Sequence, residues 1–103
     1  MTQSGFEQLD PLFEHRVRMA VCALLARNDE INFSRFKALL QQTDGALGAQ
    51  LRKLEDVGYI SLRRSFENRR PVTWYRLDPR GRQALHTHLN ALGTLVNGSE
   101  YNP

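Results

Sequence analysis

The fold is indicated most clearly by residues 43–60, which read TDGALGAQLRKLEDVGYI. Thr43 is a favourable N-cap residue, and Gly58 stands where a left-handed residue commonly ends a helix. Three leucines recur at the i, i+4, i+7 spacing of one buried stripe: Leu47, Leu51 and Leu54. The pattern predicts a helix over about residues 44–57, with small and polar side chains on its outward face.

Two further helices are predicted upstream of this one. The first covers about residues 10–27 and begins at Asp10-Pro11, an N-cap followed by proline at the first helical position. Its main apolar stripe consists of Leu9, Phe13, Val17, Ala20 and Leu24. A short extended piece, residues 31–33, precedes a brief second helix that Asn32 or Ser34 can cap. Because a tight turn joins the second helix to the third, the arrangement is a helix-turn-helix.

Beyond the third helix the pattern changes from helical to extended. Residues 59–66 alternate well enough for a strand, and residues 72–77 are rich in the β-branched and aromatic residues of a hairpin partner. The expected inward side chains are Ile60 and Leu62. The polar residues 67–71 form the predicted loop, in which Asn68 can take a left-handed turn position.

A fourth helix is predicted over about residues 79–96, beginning at Asp78-Pro79. Its apolar residues fall at i, i+4, i+7 and i+11: Leu85, Leu89, Leu92 and Val96. The predicted order is therefore α-α-α-β-β-α, a mainly α fold with one β-hairpin. We expect a single domain over residues 1–103, with an ordered core at about residues 9–96.

Composition excludes several classes of protein. The chain has 103 residues, 41% of them hydrophobic and 24% charged, which is typical of one soluble globular domain. No apolar run approaches the ~20 residues of a membrane-spanning helix, and the N-terminus lacks the features of a secretory signal. A single cysteine, Cys22, cannot form an internal disulfide, which fits a reducing compartment. We expect a cytoplasmic protein without a membrane partner.

Motifs for catalysis, cofactors and metals are sparse. His86 and His88 lie about 200° apart around a helix, so they do not converge on one metal ion. Neither a glycine-rich phosphate loop nor a Ser/His/Asp motif is present. Cys22 lies in an apolar helical segment, which favours an inert buried thiol over a redox sensor or nucleophile. We expect no enzymatic activity, no catalytic residue, no cofactor and no metal site.

Positive charge is concentrated around the predicted hairpin. Residues 59–82 contain seven arginines and two acidic residues, a net charge of +5, whereas the whole chain carries +3. The planar guanidinium of arginine suits phosphate oxygens better than the ammonium of lysine does. A solvated basic face is the alternative interpretation, but the position of these arginines next to a helix-turn-helix favours contact with nucleic acid.

Several runs together resemble a known family. Residues 43–60 are similar to the recognition helix of small winged-helix regulators. Residues 66–77, FENRRPVTWYRL, followed by Gly81-Arg82, are similar to their wing and the start of their last helix. Over about residues 9–96 the chain resembles the small winged-helix (MarR/ArsR-like) bacterial transcription regulators. The resemblance implies a winged helix-turn-helix fold and a DNA-binding transcriptional regulator.

This resemblance assigns expected DNA contacts to two elements. The recognition helix, about residues 44–57, would enter the major groove, and the wing, about residues 63–71, would lie on the minor groove or backbone. Small side chains would let the helix approach the groove floor closely, and Gln50 suits adenine. Trp74 and Tyr75 are expected in the core rather than stacked on bases. The expected contacts are Thr43, Gly45, Ala46, Ala49, Gln50, Arg52, Lys53, Arg63, Arg64, Arg69 and Arg70.

Assembly is expected to be homodimeric, on a palindromic operator. The first and fourth helices carry more apolar surface than a domain of this size is expected to cover. The predicted interface comprises Leu12, Met19, Leu92 and Leu95, alongside Leu89 and Val96, which we expect to be buried. The outward face of the recognition helix offers few hydrogen-bonding side chains, so a second hypothesis stays open: a winged helix that grips an acidic protein partner through its arginines. The operator, the direction of regulation and any small-molecule effector are left open.

Overall fold

The computed structural model describes residues 5–98, in which four helices surround one face of a small sheet. Two short 3-10 turns, Phe6–Gln8 and Pro11–Glu14, lead into the helices. The elements that follow are α1 (Arg16–Ala26), β1 (Ile31–Asn32), α2 (Phe33–Leu40), α3 (Asp44–Asp56), β2 (Ile60–Glu67), β3 (Arg70–Leu77) and α4 (Pro79–Asn97). The predicted order of four helices and a hairpin is confirmed. The ends of the predicted domain, residues 1–4 and 99–103, lie outside the described residues.

The helix-turn-helix is α2 followed by α3, and its local signals act as expected. The Thr43 hydroxyl accepts a hydrogen bond from the backbone N–H of Ala46 (3.1 Å) and caps α3. Of the two predicted caps for α2, Asn32 is the one used, since its side chain accepts from the N–H of Arg35 (2.8 Å). Gly58 adopts φ 79° just after α3, which is the left-handed conformation expected of a helix-ending glycine.

The continuous first helix predicted over residues 10–27 is wrong at its start. Asp10 does accept a hydrogen bond from the N–H of Leu12 (2.9 Å), but it caps only the short 3-10 turn. His15 is extended (φ −88°, ψ 123°) and interrupts the helix there. Its ring Nδ1 accepts from the N–H of Val17 (3.1 Å), so a second N-cap begins α1 at Arg16.

The sheet has one more strand than predicted, in the order β1-β3-β2. The short piece at Ile31–Asn32 pairs antiparallel with β3, placing Ile31 opposite Tyr75. The hairpin is also tighter than predicted, because β2 and β3 are joined by only two residues, Asn68 and Arg69. Both have positive φ, 50° and 63°, which is the backbone conformation of the type I′ turns that suit a twisted hairpin.

The core lies between the helices and the inner face of this sheet. Leu47, Leu51 and Leu54 of α3 are buried, as their spacing predicted. The largest fully buried side chains are Val21, Cys22, Leu25, Phe36, Leu47, Leu51 and Leu54. Burying these side chains removes several hundred Å² of apolar surface from water, which is the main favourable contribution to folding.

The predicted buried stripe of α4 needs correction. Leu85 is buried, but Leu89 and Val96 are 48% and 76% exposed rather than buried. The reason is that beyond Leu85 the side of α4 that the rest of the domain covers carries His88 and Ala91 rather than Leu89 and Val96. The N-terminal segment packs against these two covered side chains.

His88 fixes this N-terminal segment to α4. The backbone N–H of Asp10 donates to its Nδ1 (3.0 Å), and its ring lies 5.1 Å from that of Phe13. The Asp10 carboxylate also accepts a hydrogen bond from the Tyr59 hydroxyl (2.6 Å). These contacts join the segment before α1, the loop after α3 and the last helix into one unit.

Among residues 5–98, none of the helices combines the length and the apolar character that a membrane span requires.

Candidate nucleic-acid interface

The outward face of α3 is exposed and carries mostly small side chains. The face opposite the buried leucine stripe consists of Gly45, Ala46, Ala49, Arg52 and Lys53, all exposed, with the exposed cap Thr43 beside it. A Cβ added at Gly45 or at Gly48 would meet no atom within 4 Å. The small side chains therefore leave the backbone of α3 accessible. The two cations of this face, Arg52 and Lys53, lie in the C-terminal half of the helix.

Gln50 is held at the edge of this face by α1. An Arg18 guanidinium N–H donates to its Oε1 (2.7 Å), while Arg18 Nε donates to the backbone carbonyl of Leu12 (2.6 Å). Bidentate pairing with adenine uses both the oxygen and the amide N–H₂ of a glutamine. In this arrangement one lone pair of the oxygen is engaged by Arg18, and the other lone pair and the N–H₂ group of Gln50 have no partner among the described residues, so pairing with adenine would share the oxygen with Arg18. Sequence reasoning missed Arg18, because residues 32 positions apart in the chain give no local signal of contact.

The register of the hairpin separates its side chains into two faces. Ile60 lies opposite Leu77 and Leu62 opposite Tyr75, and these residues face the core. Because side chains alternate along a strand, Arg64 and Phe66 continue the same face toward the tip. We call this surface, Arg64 and Phe66 with their partners Thr73 and Pro71, the inner wing face. The outer wing face comprises Arg63, Ser65 and Glu67 with their partners Trp74, Val72 and Arg70.

Arg63 is engaged within the protein on the outer wing face. Its Nε and an NH2 group donate to the two carboxylate oxygens of Glu30 (2.7 and 2.8 Å), and its guanidinium carbon lies 5.4 Å from the centroid of the Trp74 ring. This bidentate pair lowers the pKa of Glu30 and raises that of Arg63, chiefly through the hydrogen bonds. Trp74 in turn donates its Nε1–H to the Ser65 hydroxyl (3.1 Å). The contacts fasten the base of the hairpin to the segment before β1.

Arg64, by contrast, is exposed on the side of the hairpin that faces α3. Arg64 and Arg52 both lie near the Glu55 carboxyl group. Burial and the neighbouring Asp56 raise the pKa of Glu55, whereas the positive charges of the two arginines oppose that rise. The structure therefore brings Arg52 and Arg64 to one side of the molecule and does not bring Arg63 there. The period-two alternation from Ile60 and Leu62 was the sequence signal that would have separated the two neighbouring arginines.

The remaining wing arginines stand at the tip. Arg69 occupies the second position of the turn with φ 63°, a conformation that costs an ordinary L-residue about 1–2 kcal/mol. Arg70 begins β3 opposite Glu67 on the outer wing face. Both side chains are exposed. Arg69 and Arg70 therefore add two exposed cations at the tip to the exposed Arg52, Lys53 and Arg64.

Other reactive groups do not form a site. Cys22 is fully buried, as expected, and desolvation is the main reason that its pKa is raised to about 12, so the thiol stays neutral. Within residues 5–98, no group of three or more His, Cys, Asp or Glu side chains is placed to hold a metal ion.

A helix-turn-helix followed by an arginine-rich two-stranded hairpin defines the class of winged-helix DNA-binding domains. Residues 17–96 match the family described as winged helix DNA-binding domain. The chain belongs to this family, and its structural neighbours are MarR, ArsR and PadR transcriptional regulators. The expected winged helix-turn-helix fold is confirmed, and the family is non-enzymatic, as predicted.

Similar proteins occur in archaea and bacteria. An uncharacterised protein of Methanocaldococcus jannaschii is 31% identical over 78 residues, which cover 76% of this chain and 85% of that protein. The structure of a transcriptional regulator homologue from Pyrococcus horikoshii OT3 has a TM-score of 0.75 at 21% identity, covering 90% of this chain and 97% of that one. Bacillus subtilis PadR, solved in complex with operator DNA, has a TM-score of 0.62 at 24% identity, covering 69% of this chain and 46% of PadR. At these identities the structural likenesses concern the fold.

Proposed function

We propose that this protein regulates transcription by binding duplex DNA, with α3 in the major groove and the tip and inner wing face on the adjacent minor groove. The observation that carries the proposal is the set of exposed cations on α3 (Arg52 and Lys53), on the hairpin side that faces α3 (Arg64) and at the tip (Arg69). Phosphate contacts supply most of the affinity of such an interface and fix its register on the duplex. The similarity in fold to PadR, whose structure contains operator DNA, supports duplex DNA as the ligand.

Base recognition in this proposal depends on close approach rather than on many hydrogen-bonding side chains. The N-terminal half of α3 exposes Gly45, Ala46 and Ala49, and a Cβ added at Gly45 or at the half-buried Gly48 would meet no neighbouring atom. Such a surface allows the helix backbone to approach the major-groove floor, where alanine can contact a thymine methyl group. Arg52 and Lys53 then reach either guanine or phosphate. One such helix discriminates only weakly between DNA sequences. A second copy of the chain, bound to the same operator, would increase that discrimination.

We further propose that the functional unit is a homodimer formed through α4. In the C-terminal half of α4, Leu89, Leu92 and Leu95 are 48%, 38% and 43% exposed. Leu12 and Met19, also predicted for the interface, pack instead partly buried against the domain's own core. The proposed interface is thus centred on α4, with Val96 at its end. Two copies related by a two-fold axis place two recognition helices about one DNA turn, ~34 Å, apart on a palindrome.

The proposal is tested by a salt titration of binding to a labelled duplex taken from upstream of the protein's own gene. Each phosphate neutralised by Lys or Arg contributes ~0.9 to the slope of log affinity against log salt. Replacing both Arg69 and Arg70 by alanine is expected to weaken binding to every duplex and to flatten the slope. Polyglutamate, added as competitor, separates DNA binding from the alternative of an acidic protein partner. Binding to polyglutamate but to no duplex at low salt would refute the proposal.

A further inference from the structure

Phe66 is a large aromatic side chain left in solvent near the tip of the hairpin. Its side chain is 73% exposed although it lies on the inner wing face, which further down the strand is the core face. Along β2 this face changes from buried at Ile60 to half-buried at Leu62 and exposed at Arg64. The domain's own core therefore ends before Phe66. The Phe66 ring carries apolar surface beyond the edge of that core.

The neighbours of Phe66 identify the chemistry that would cover it. Pro71, its cross-strand partner, is also exposed, so the two residues form a small apolar patch at the end of the hairpin. Arg64 lies two residues before Phe66 on the same face, and Arg69 occupies the turn. A ligand for this patch must present apolar surface directly beside negative charge. The DNA backbone does so, because each deoxyribose ring stands between two phosphates.

We propose that Phe66 is a DNA contact, whose ring packs with Pro71 against deoxyribose rings of the minor groove. Arg64 and Arg69 bind the phosphates on either side. The inference rests on the proposed function and adds an apolar component to an interface otherwise built on charge. An apolar contact releases no counterions, so its contribution to affinity is independent of salt. That property separates Phe66 from every arginine of the wing.

The experiment compares the unmodified protein with Phe66→Ala, Phe66→Leu and Arg69→Ala on one labelled duplex across a range of salt concentrations. Phe66→Ala is expected to bind about tenfold more weakly at each salt concentration, the scale of losing most of a buried aromatic contact, with an unchanged salt slope. Phe66→Leu retains apolar surface and is expected to keep most of the affinity. Arg69→Ala is expected to reduce the slope by ~0.9.

Two controls establish that the variants differ only at the interface. Phe66 is exposed, so Phe66→Ala is expected to keep the thermal midpoint of unfolding of the parent. Trp74, the chain's one tryptophan, lies on the outer wing face, and unchanged fluorescence shows that the hairpin keeps its packing. Light scattering checks that the oligomeric state is also unchanged.

The outcomes separate this inference from the proposed function. Equal binding of the parent and Phe66→Ala overturns the inference while DNA binding stands. A lower salt slope in Phe66→Ala overturns it as well, because the residue would then act by positioning a cation. A change in oligomeric state would assign Phe66 to self-association instead. Failure of the unmodified protein to bind any duplex refutes the proposed function and this inference with it.

Discussion

Replacing Arg69 by glycine is expected to stabilise the fold while it weakens DNA binding. Arg69 has φ 63°, and a left-handed conformation costs an L-residue about 1–2 kcal/mol. Glycine adopts it freely but loses about 0.5–1 kcal/mol more in conformational entropy on folding. The net gain is therefore about 0–1.5 kcal/mol, with a midpoint of about 0.75 kcal/mol. For a domain of this size that midpoint corresponds to a rise of about 3–6 °C in Tm.

The sequence at this turn supports the same reasoning. Asn-Gly is the favoured pair for the two central positions of a type I′ turn, and this chain has Asn68-Arg69. Because glycine is expected to be more stable at this position, we infer that the Arg69 side chain contributes to binding. In Arg69→Gly the salt slope of DNA binding is expected to fall by ~0.9, because one phosphate contact is lost.

The assay pairs thermal unfolding, followed by circular dichroism, with salt-titrated fluorescence anisotropy on a labelled duplex. Asn68→Gly is the matched control, since it relaxes the neighbouring turn position, φ 50°, without removing a charge. It is expected to stabilise less, because asparagine tolerates the left-handed region better than arginine does, and to leave the salt slope unchanged. The reasoning is refuted if Arg69→Gly is no more stable than the parent, or if it is more stable and binds DNA with an unchanged slope.

Three further predictions concern α3, the dimer and the N-terminal segment. Gln50→Ala is expected to relax base preference at one or two operator positions, by at most ~1–3 kcal/mol each, and identical preferences for mutant and parent in a binding-site selection would assign recognition elsewhere. Replacing Leu92 and Leu95 by Glu is expected to give a folded monomer with greatly reduced operator affinity; light scattering that finds the unmodified protein monomeric at tens of micromolar would contradict the proposed dimer. Burial, reinforced by the hydrogen bond to Asp10, raises the pKa of Tyr59 from 10.0 to about 12. The stability that Tyr59 contributes is therefore present below pH 10 and lost as the pH rises toward 12, and denaturant unfolding of Tyr59→Phe is expected to lack that dependence.

Local sequence signals predicted the elements of this fold well because each depends on a few neighbouring residues. The cap at Thr43, the left-handed Gly58 and the leucine stripe of α3 required no knowledge of distant contacts. The interruption at His15 was missed because Asp10-Pro11 gave a strong start signal that the chain uses only for one 3-10 turn. The α4 stripe wrongly predicted Leu89 and Val96 to be buried, because the N-terminal segment that covers His88 and Ala91 is distant in sequence.

The candidate surface was harder to predict because it depends on pairings between distant residues. The bond from Arg18 to Gln50 spans 32 positions and the pair of Glu30 with Arg63 spans 33. Composition identified the basic hairpin but treated all of its arginines alike. For Arg63 and Arg64 the side is decided by the alternation along β2 that Ile60 and Leu62 indicate. For Arg69 and Arg70 it depends on the turn, which was expected to be five residues long and has two.

The most direct test of the proposed surface compares Arg63→Ala with Arg64→Ala. These neighbouring residues have the same chemistry and lie on opposite faces of one strand, so the pair isolates which face contacts DNA. Arg64→Ala is expected to weaken binding to all duplexes and to lower the salt slope by ~0.9, without loss of stability. Arg63→Ala is expected to lower the thermal midpoint, since it leaves Glu30 unpaired, and to keep the salt slope of the parent. Equal slopes for Arg64→Ala and the parent, or a flattened slope for Arg63→Ala alone, would contradict the proposed interface.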